Sequence, residues 1–431
     1  MKKTYIDTAM ERIAPDLILK GGNVVDVFSG RVIKADVIIK DGIICGVGSY
    51  SGENEQDVSG KYIMPGFIDS HVHIESSMTQ PSEYAKAVMP HGITTVIADP
   101  HEITNVCGED GLEFMLKSAK NIPLDVNLML PSCVPATPFE HTGANLDAKT
   151  TQKLAPKFFG IGEMMNYPGI VSGDDETLGK LCLDIIDGHA PLLSGHELDA
   201  YASAGIKTDH ECSVVEEMTE KISKGMYILL REGTLSLDVA KLIKGVTPYT
   251  LRRCAFCTDD RFVGEIIRDG SIDHCIRKAV SLGLNNIDAI IMATLNACEM
   301  YGMKNKGAIA PSYVADIVVA DDLNLSSISQ VYKNGKLVCE NGKALFECET
   351  VDNSKVTNTV HLPKISADFF KTDVKDKFDA IELIPESIIT KKVTVSYSDS
   401  LSKVCVIERH HNLGTKGIGF VTNYGITNGA I

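Results

Sequence analysis

The hydrophobic positions of this chain change rhythm along its length. Residues 16–50 read as short apolar runs, DLILKGG, NVVDVFSG, ADVIIKDG and IICGVG, separated by Gly21-Gly22, Ser29-Gly30 and Asp41-Gly42. Runs of that length, punctuated by such pairs, predict β-hairpins. A second set comes late, as ADIVVADD (Ala315–Asp322) followed by VYKNGKLV, where Asn334-Gly335 is a strong two-residue hairpin signal. Two β pieces flanking a long middle predict a small β-sandwich domain assembled from both ends of that middle.

From Ile63 to about Gly302 strand-like and helix-like runs alternate. The strand candidates are YIMPGFIDSH, GITTVIADP, LDVNLMLPS, FFGIGEMM, DIIDGHA, GIKTDHE, MYILLREG and RRCAFCTDD. Amphipathic segments such as SEYAKAVMPHG, GLEFMLKSAKN, DETLGKLCLD and VVEEMTEKISKG lie between them. Eight strands alternating with helices predict an α/β chain with a closed (β/α)8 TIM barrel. A doubly wound open sheet is the alternative, but no G-x-G-x-x-G follows the first strand. Within that first strand, Tyr62 to Ile68 reads as one buried run entered through Pro65-Gly66. After the last helix, NNIDAIIMATLNACEMYG, the chain returns to the β unit. Beyond about Thr350 it turns polar and then strand-like again (KKVTVSYS, KVCVIERH), which predicts a small third α/β domain. The expected organisation is 1–62 and 307–349 for the β domain, 63–306 for the barrel and 350–431 for the terminal domain.

In such barrels chemistry gathers at the C-terminal ends of the strands. Here the ends read His71 and His73; Asp99-Pro100-His101-Glu102; Pro131-Ser132-Cys133; Glu163; Asp187-Gly188-His189; Asp209-His210-Glu211; Arg231-Glu232; and Thr258-Asp259-Asp260. Nearly every strand delivers an ionisable or polar group to one rim. Side chains alternate along a strand, so His71 and His73 point the same way and can grip one divalent ion. An H-x-H pair alone describes surface histidines equally well, and a single buried histidine is more often a hydrogen-bonded core residue; the coincidence of all the strand ends favours a metal site. Other histidines are set aside: His91 looks like a helix cap, His196 lies at a helix start, His274 within a helix, and His361, His410 and His411 outside the barrel, where ERHHNLGTKGIGF reads as a surface hairpin.

Composition narrows the class further. A formal net charge of -15 argues against nucleic acid and anionic membranes as partners. The twelve cysteines are scattered within apolar runs, which fits reduced thiols in a cytoplasmic protein. Cys254 and Cys257 form a lone C-x-x-C best read as strand packing. The N-terminus lacks the apolar run of a signal peptide, and no stretch approaches the roughly 18 apolar residues of a membrane span.

The rim residues belong to longer blocks: FIDSHVHIESSM, TTVIADPHEITNVCG, PSCVPA, IGEMMNYPGI, DGHAP, AGIKTDHE, LLREGT and CTDDR. In this order, from about Asp16 to the chain's end, they resemble the bacterial adenine deaminase family of the amidohydrolase superfamily. Many members of the superfamily bridge two ions with a carboxylated lysine; this chain has Glu163, whose two oxygens can do the same. Residue by residue, the resemblance implies that His71, His73, Glu163 and Asp259 hold one divalent ion and that His189, His210 and Glu163 hold the other. Ligands of these types suit Zn(II), Mn(II) or Fe(II); the resemblance favours Mn(II) or Fe(II). The implied reaction, in purine salvage, is hydrolytic deamination of adenine to hypoxanthine and ammonia, a metal-bridged hydroxide attacking C6. Asp259 is expected as ligand and general base. Glu102, ahead of Glu211 and Glu75, is the expected acid for the ring nitrogen, although a carboxylate beside a ligand histidine more often orients it. His101, Arg231 and Ser132 are expected against the substrate, with Arg231 equally able to neutralise rim carboxylates. Superfamily members often dimerise, so a homodimer is expected. The competing readings are another binuclear amidohydrolase, such as a cyclic amidase or N-deacetylase, and a non-catalytic barrel serving as an assembly subunit. The family continues past the point equivalent to Gly429-Ala430-Ile431, so the terminal domain is expected to be incomplete.

Overall fold

The computed structural model describes residues 2–373, 376–385, 389–398 and 401–426. The flanking segments form one nine-stranded sheet from β1 (Leu17–Asp26), β2 (Arg31–Lys40), β3 (Ile43–Gly48), β4 (Glu55–Asp57) and β5 (Tyr62–Pro65), with later strands β14 (Ile317–Ala320), β15 (Ile328–Lys333), β16 (Lys336–Glu340) and β17 (Lys343–Ala344). The β5–β14 pairing joins the two halves. Asp41-Gly42 and Asn334-Gly335 close their hairpins with both residues at positive φ, the geometry for which those pairs are suited. The two hairpin tips also abut. A Cβ on Gly42 would lie 2.8 Å from the Asn334 carbonyl oxygen, and one on Gly335 would lie 2.8 Å from the Ile39 side chain. The sheet thus folds over on itself, and Ile39 and Ile44 from one end share a core with Ile317 and Tyr332 from the other.

The barrel strands are β6 (Phe67–Val72), β7 (Ile93–Ala98), β8 (Asp125–Leu130), β9 (Gly160–Met164), β10 (Ile186–Gly188), β11 (Thr208–Asp209), β12 (Tyr227–Arg231) and β13 (Cys254–Cys257). Strands β6 to β10 form one parallel ladder and β11 to β13 another. The ring closes between β13 and β6 through the rim itself: Asp259 N–H donates to the His71 carbonyl at 3.0 Å, and His73 N–H donates to the Asp259 carbonyl at 3.1 Å. At the other seam, between β10 and β11, Gly188 N–H donates to the Thr208 hydroxyl at 3.0 Å. Several strands are buried along their whole length, so their sequences do not alternate between apolar and polar positions. One core joins Phe67, Met89 and Ile93 of the barrel to Val318, Val331 and Cys339 of the nine-stranded sheet.

Two expectations differ from what is found. The run Tyr62–Ile68 is not one strand: it divides at Pro65-Gly66 into β5 of the nine-stranded sheet and β6 of the barrel. Gly66 N–H donates to the Asp316 carbonyl at 2.8 Å. A Cβ there would sit 2.3 Å from the Thr94 hydroxyl oxygen, so only glycine allows the crossing. In the terminal region the described residues form a four-stranded sheet, ordered β19-β18-β21-β20, from β18 (Lys377–Leu383), β19 (Thr390–Ser396), β20 (Ser402–Ile407) and β21 (Lys416–Thr422). Beside it lies one 3-10 turn, Ala367–Phe370, and no α-helix among the described residues. Runs such as Lys-Val-Thr-Val-Ser alternate with period two, which is why the described part of this unit is strand rather than helix. Gly429, Ala430 and Ile431 lie outside the described residues. The turn after β20 is closed by Glu408, which accepts from the backbone N–H groups of His410, His411 and Leu413.

All twelve cysteines are free. Cys254 and Cys257 are buried in β13, where burial pushes the Cys254 thiol up to about 12, away from redox work. Among the described residues no helix is long and apolar enough to cross a membrane.

Candidate metal centre

Six side chains from β9 and the ends of β6, β10, β11 and β13 converge on one point of the rim. His71 is the penultimate residue of β6 and His73 follows the strand, their Nε2 atoms 3.1 Å apart as same-facing neighbours. His73 Nε2 lies 3.1 Å from Asp259 Oδ1 and 3.4 Å from Glu163 Oε1; His71 Nε2 lies 3.7 Å from Asp259 Oδ1. On the other side of Glu163, its Oε2 lies 2.6 Å from His189 Nδ1 and 3.2 Å from His210 Nε2. Each oxygen of one carboxylate therefore faces its own group of imidazoles. Ligands about 2.1 Å from a tetrahedral ion stand about 3.4 Å from one another, and most of these separations fall near that edge. The donors of His71, His73 and Glu163, and those of Glu163, His189 and His210, form compact sets able to hold an ion. The donor chemistry of these residues fits divalent cations.

Neighbouring groups orient the ligands. His73 Nδ1 lies 2.8 Å from the Asp99 carbonyl oxygen, which makes Nδ1 the donor and leaves the Nε2 lone pair facing the pocket. Asp187 Oδ2 stands 3.6 Å from His71 Nδ1, and Asp187 is itself fixed by the hydroxyls of Thr208 and Tyr301. Asp69 accepts from the backbone and hydroxyl of Thr258, next to Asp259. Asp259 adopts a left-handed backbone, φ 57, where few residue types are comfortable and aspartate is tolerated. Asp99 Oδ2 also accepts the Glu163 N–H at 2.9 Å. A Cβ on Gly162 would lie 2.2 Å from that same oxygen. Gly162→Ala is expected to lower stability by about 1–3 kcal/mol and to weaken metal retention, read as thermal midpoint and as metal content after dialysis.

The electrostatics favour cations. Burial alone would push the Glu163 carboxyl up; His189, His210 and His73 beside it hold it well below the usual carboxylate range. Asp259 is lowered in the same way, burial being outweighed by His73, His210 and His71. Burial disfavours charge on His189, but Glu163 outweighs it and raises the imidazole to about 9. At the rim, burial together with the Glu102 charge pushes Glu75 up to about 8. Glu102, also raised by burial, is held below its ordinary value by His73 and His101. Burial lowers His101, yet Asp99 and Glu102 bring it well above the histidine norm.

The remaining expected residues divide. Glu102 Oε1 lies 3.1 Å from His101 Nε2, and His101 Nδ1 lies 3.2 Å from Glu163 Oε1, so this pair borders the ligands. Ser132 turns away from the substrate contact expected of it: it is buried and its hydroxyl donates to the Glu163 carbonyl at 2.6 Å, bracing β9. Arg231 is also spent inside the wall. It donates to Glu211, to Asp259 Oδ2 at 2.9 Å and to Asp238 at 3.1 Å, which makes it the counter-charge of rim carboxylates. Glu211 is held in that pair, with its Oε1 3.7 Å from His189 Nδ1 and 3.6 Å from His210 Nε2. A cavity of about 260 Å³ opens beside Asp259, lined by Ser76, Gly233, Thr234, Leu235, Ser236, Asp260 and Phe262. Asp99 and Asp187 stood in the sequence as strand-end carboxylates; Tyr301, on the last helix, had no signal there.

The Amidohydrolase family model matches residues 62–338. An adenine deaminase of Clostridium acetobutylicum is 47% identical over 446 residues, which take in 99% of this chain and 78% of that protein. Adenine deaminase 2 of Desulfotalea psychrophila is 44% identical, across 100% of this chain and 78% of its own length. Among solved structures, an enamidase of the amidohydrolase superfamily superposes with a TM-score of 0.57 at 18% identity, covering 77% of this chain and 97% of its own. A beta-aspartyl dipeptidase from Fervidobacterium islandicum AW-1 gives 0.56 at 20% identity, covering 78% and 99%. At those identities the structures speak to the barrel fold alone.

Proposed function

The chain belongs to the amidohydrolase family, and from that premise we propose that it hydrolyses adenine to hypoxanthine and ammonia. The observation that carries the reading is Glu163, with its two oxygens divided between two groups of imidazoles, and a small cavity beside Asp259. Adenine deaminases similar to it in sequence supply the substrate class. Its acidic net charge of -15 supports a small-molecule partner rather than nucleic acid.

His71, His73, Glu163 and Asp259 would hold one divalent ion, and Glu163, His189 and His210 the other. We take these as Mn(II) or Fe(II), with Zn(II) compatible. Ions bound there supply a water that loses its proton near neutral pH. Asp259 borders the cavity and is held ionised by the neighbouring His73, His210 and His71, so it takes the proton of the attacking water and hands it to the departing amine. The C6–O bond forms, the C6–N bond breaks and ammonia leaves, while the second proton of the water, released from the C6 oxygen as the carbonyl forms, replaces the one given to the ring nitrogen. We assign the ring-nitrogen proton to the His101–Glu102 pair: Glu102 is held ionised, so the transferable proton resides on His101. Ser76, Thr234, Ser236 and Asp260 offer hydrogen-bond partners to the purine edge, and Leu235 and Phe262 offer apolar surface to its faces. A cytoplasmic homodimer is the working state we propose for the enzyme.

The test is to load the purified protein with Mn(II) or Fe(II) and give it adenine. Ammonia and hypoxanthine are expected in equal amounts. Carboxylate release from cyclic amides or N-acyl substrates, with none of these products from adenine, would move the reading to a cyclic amidase or N-deacetylase.

A further inference from the structure

We infer that Lys221, which touches neither cavity nor ligand, is a positioning residue that keeps His189 and His210 aligned on Glu163. The inference rests on the two-ion reading above. Lys221 lies in the helix Val215–Ser223 and is completely buried. An ammonium has three donors, and all three are used. Nζ donates to the Ala190 carbonyl at 2.7 Å, to Glu217 Oε1 at 2.8 Å and to Asp209 Oδ2 at 2.9 Å.

Each acceptor is tied to a ligand histidine. Ala190 follows His189, and Asp209 precedes His210 in the chain. Asp209 Oδ1 accepts the Ala190 N–H at 2.9 Å, while its Oδ2 accepts the Glu211 N–H at 3.1 Å. Glu217 Oε1 accepts the Leu192 N–H at 2.8 Å. The ammonium and its two carboxylates therefore clasp the backbone just after His189 and on both sides of His210.

The place of this clasp gives it a task. Strands β10 and β11 are where the two parallel ladders of the barrel part. His189 and His210 stand on opposite sides of that seam, yet both must meet the same Glu163 oxygen. Elsewhere ladder hydrogen bonds fix neighbouring strand ends. Here three or four side-chain hydrogen bonds from one buried ionic cluster do so, aided by Thr208. His71 and His73, joined through the Asp259 backbone at the other seam, do not depend on Lys221.

Equilibrium dialysis with Mn(II) tests this without any assay of activity. The unmodified protein should take up two equivalents. In Lys221→Met the second equivalent should bind about 10–100-fold more weakly, the effect typical of losing a group that orients a ligand, while the first changes little. Because Lys221→Met leaves two buried carboxylates facing each other, Lys221→Met/Glu217→Gln removes one charge of each sign and should show the same selective loss in a folded protein. Glu217→Gln alone keeps Lys221 on Asp209 and should weaken the second ion less. In each variant kcat for adenine should fall while KM stays within about 2-fold. Equal weakening of both ions, or unchanged affinity for the second, would overturn the role given to Lys221. Failure of the unmodified protein to bind any Mn(II) would instead remove the two-ion reading itself.

Discussion

Asp259→Asn is expected to reduce kcat on adenine by about 10³–10⁴-fold, the scale of a lost general acid–base in a positioned site, while the barrel stays folded. The fold should survive for a local reason. Asp259 occupies a left-handed backbone, φ 57, a region asparagine accepts as readily as aspartate. The bonds that close the barrel at this point, to the His71 carbonyl and from the His73 N–H, are made by its backbone and remain. Arg231 loses one of its carboxylates but keeps Glu211 and Asp238. What the amide cannot do is carry the proton: its nitrogen does not accept one near neutral pH, and its oxygen is a weaker partner for His73. Substrate affinity, which depends on the cavity wall rather than on this carboxylate, should change far less than kcat. Steady-state kinetics with a thermal melt decide the matter. A variant that kept native kcat would remove Asp259 from the chemistry and leave it as a ligand only.

The barrel was legible because its strand segments are largely apolar and each ends in a polar group, so one rule about strand ends collected the candidate ligands before any geometry was known. The family resemblance then divided them between two ions; the two oxygens of Glu163 face different imidazoles, while His71, His210 and Asp259 also stand close together across that division. What could not be read is what each polar side chain does once buried. Ser132 and Arg231 looked like substrate contacts because they sit at strand ends, but a hydroxyl or guanidinium there can turn inward as easily as outward. Their direction is set by a carbonyl or carboxylate from another strand. Lys221 was invisible for the opposite reason: in an amphipathic run, VVEEMTEKISKG, a lysine reads as solvated. Only the packing of that helix over the β10–β11 seam reveals it as buried. Gly66 marked a break in the sequence pattern, but not that the chain passes there from one sheet to another, since that depends on Thr94 and Asp316, which are distant in sequence.

Glu163→Gln should abolish two-ion binding, taking metal content from two equivalents to at most one and lowering turnover by about 10²–10³-fold, the scale of a lost preorganised electrostatic contribution. The argument is one of symmetry. A carboxylate presents two equivalent acceptors, and here each faces its own imidazoles; an amide presents one acceptor and one donor, so one side of the site meets N–H groups where it needs a lone pair. The same substitution has a signature in the metal-free protein. Glu163 raises His189 to about 9 from an ordinary value of 6.5. A raised folded value means that the protonated histidine stabilises the fold below pH 6.5 and that this contribution is lost as pH climbs from 6.5 through about 9. Manganese runs against that slope, because it needs the neutral imidazole: its affinity should rise over the same interval, with a proton released as it binds near neutral pH. In Glu163→Gln both slopes should flatten, and the His189 titration followed by NMR should move down toward 6.5 or below. If His189 still titrated near 9 in that variant, Glu163 would not be the group that sets its charge, and the bridge between the two halves of the site would fail with it.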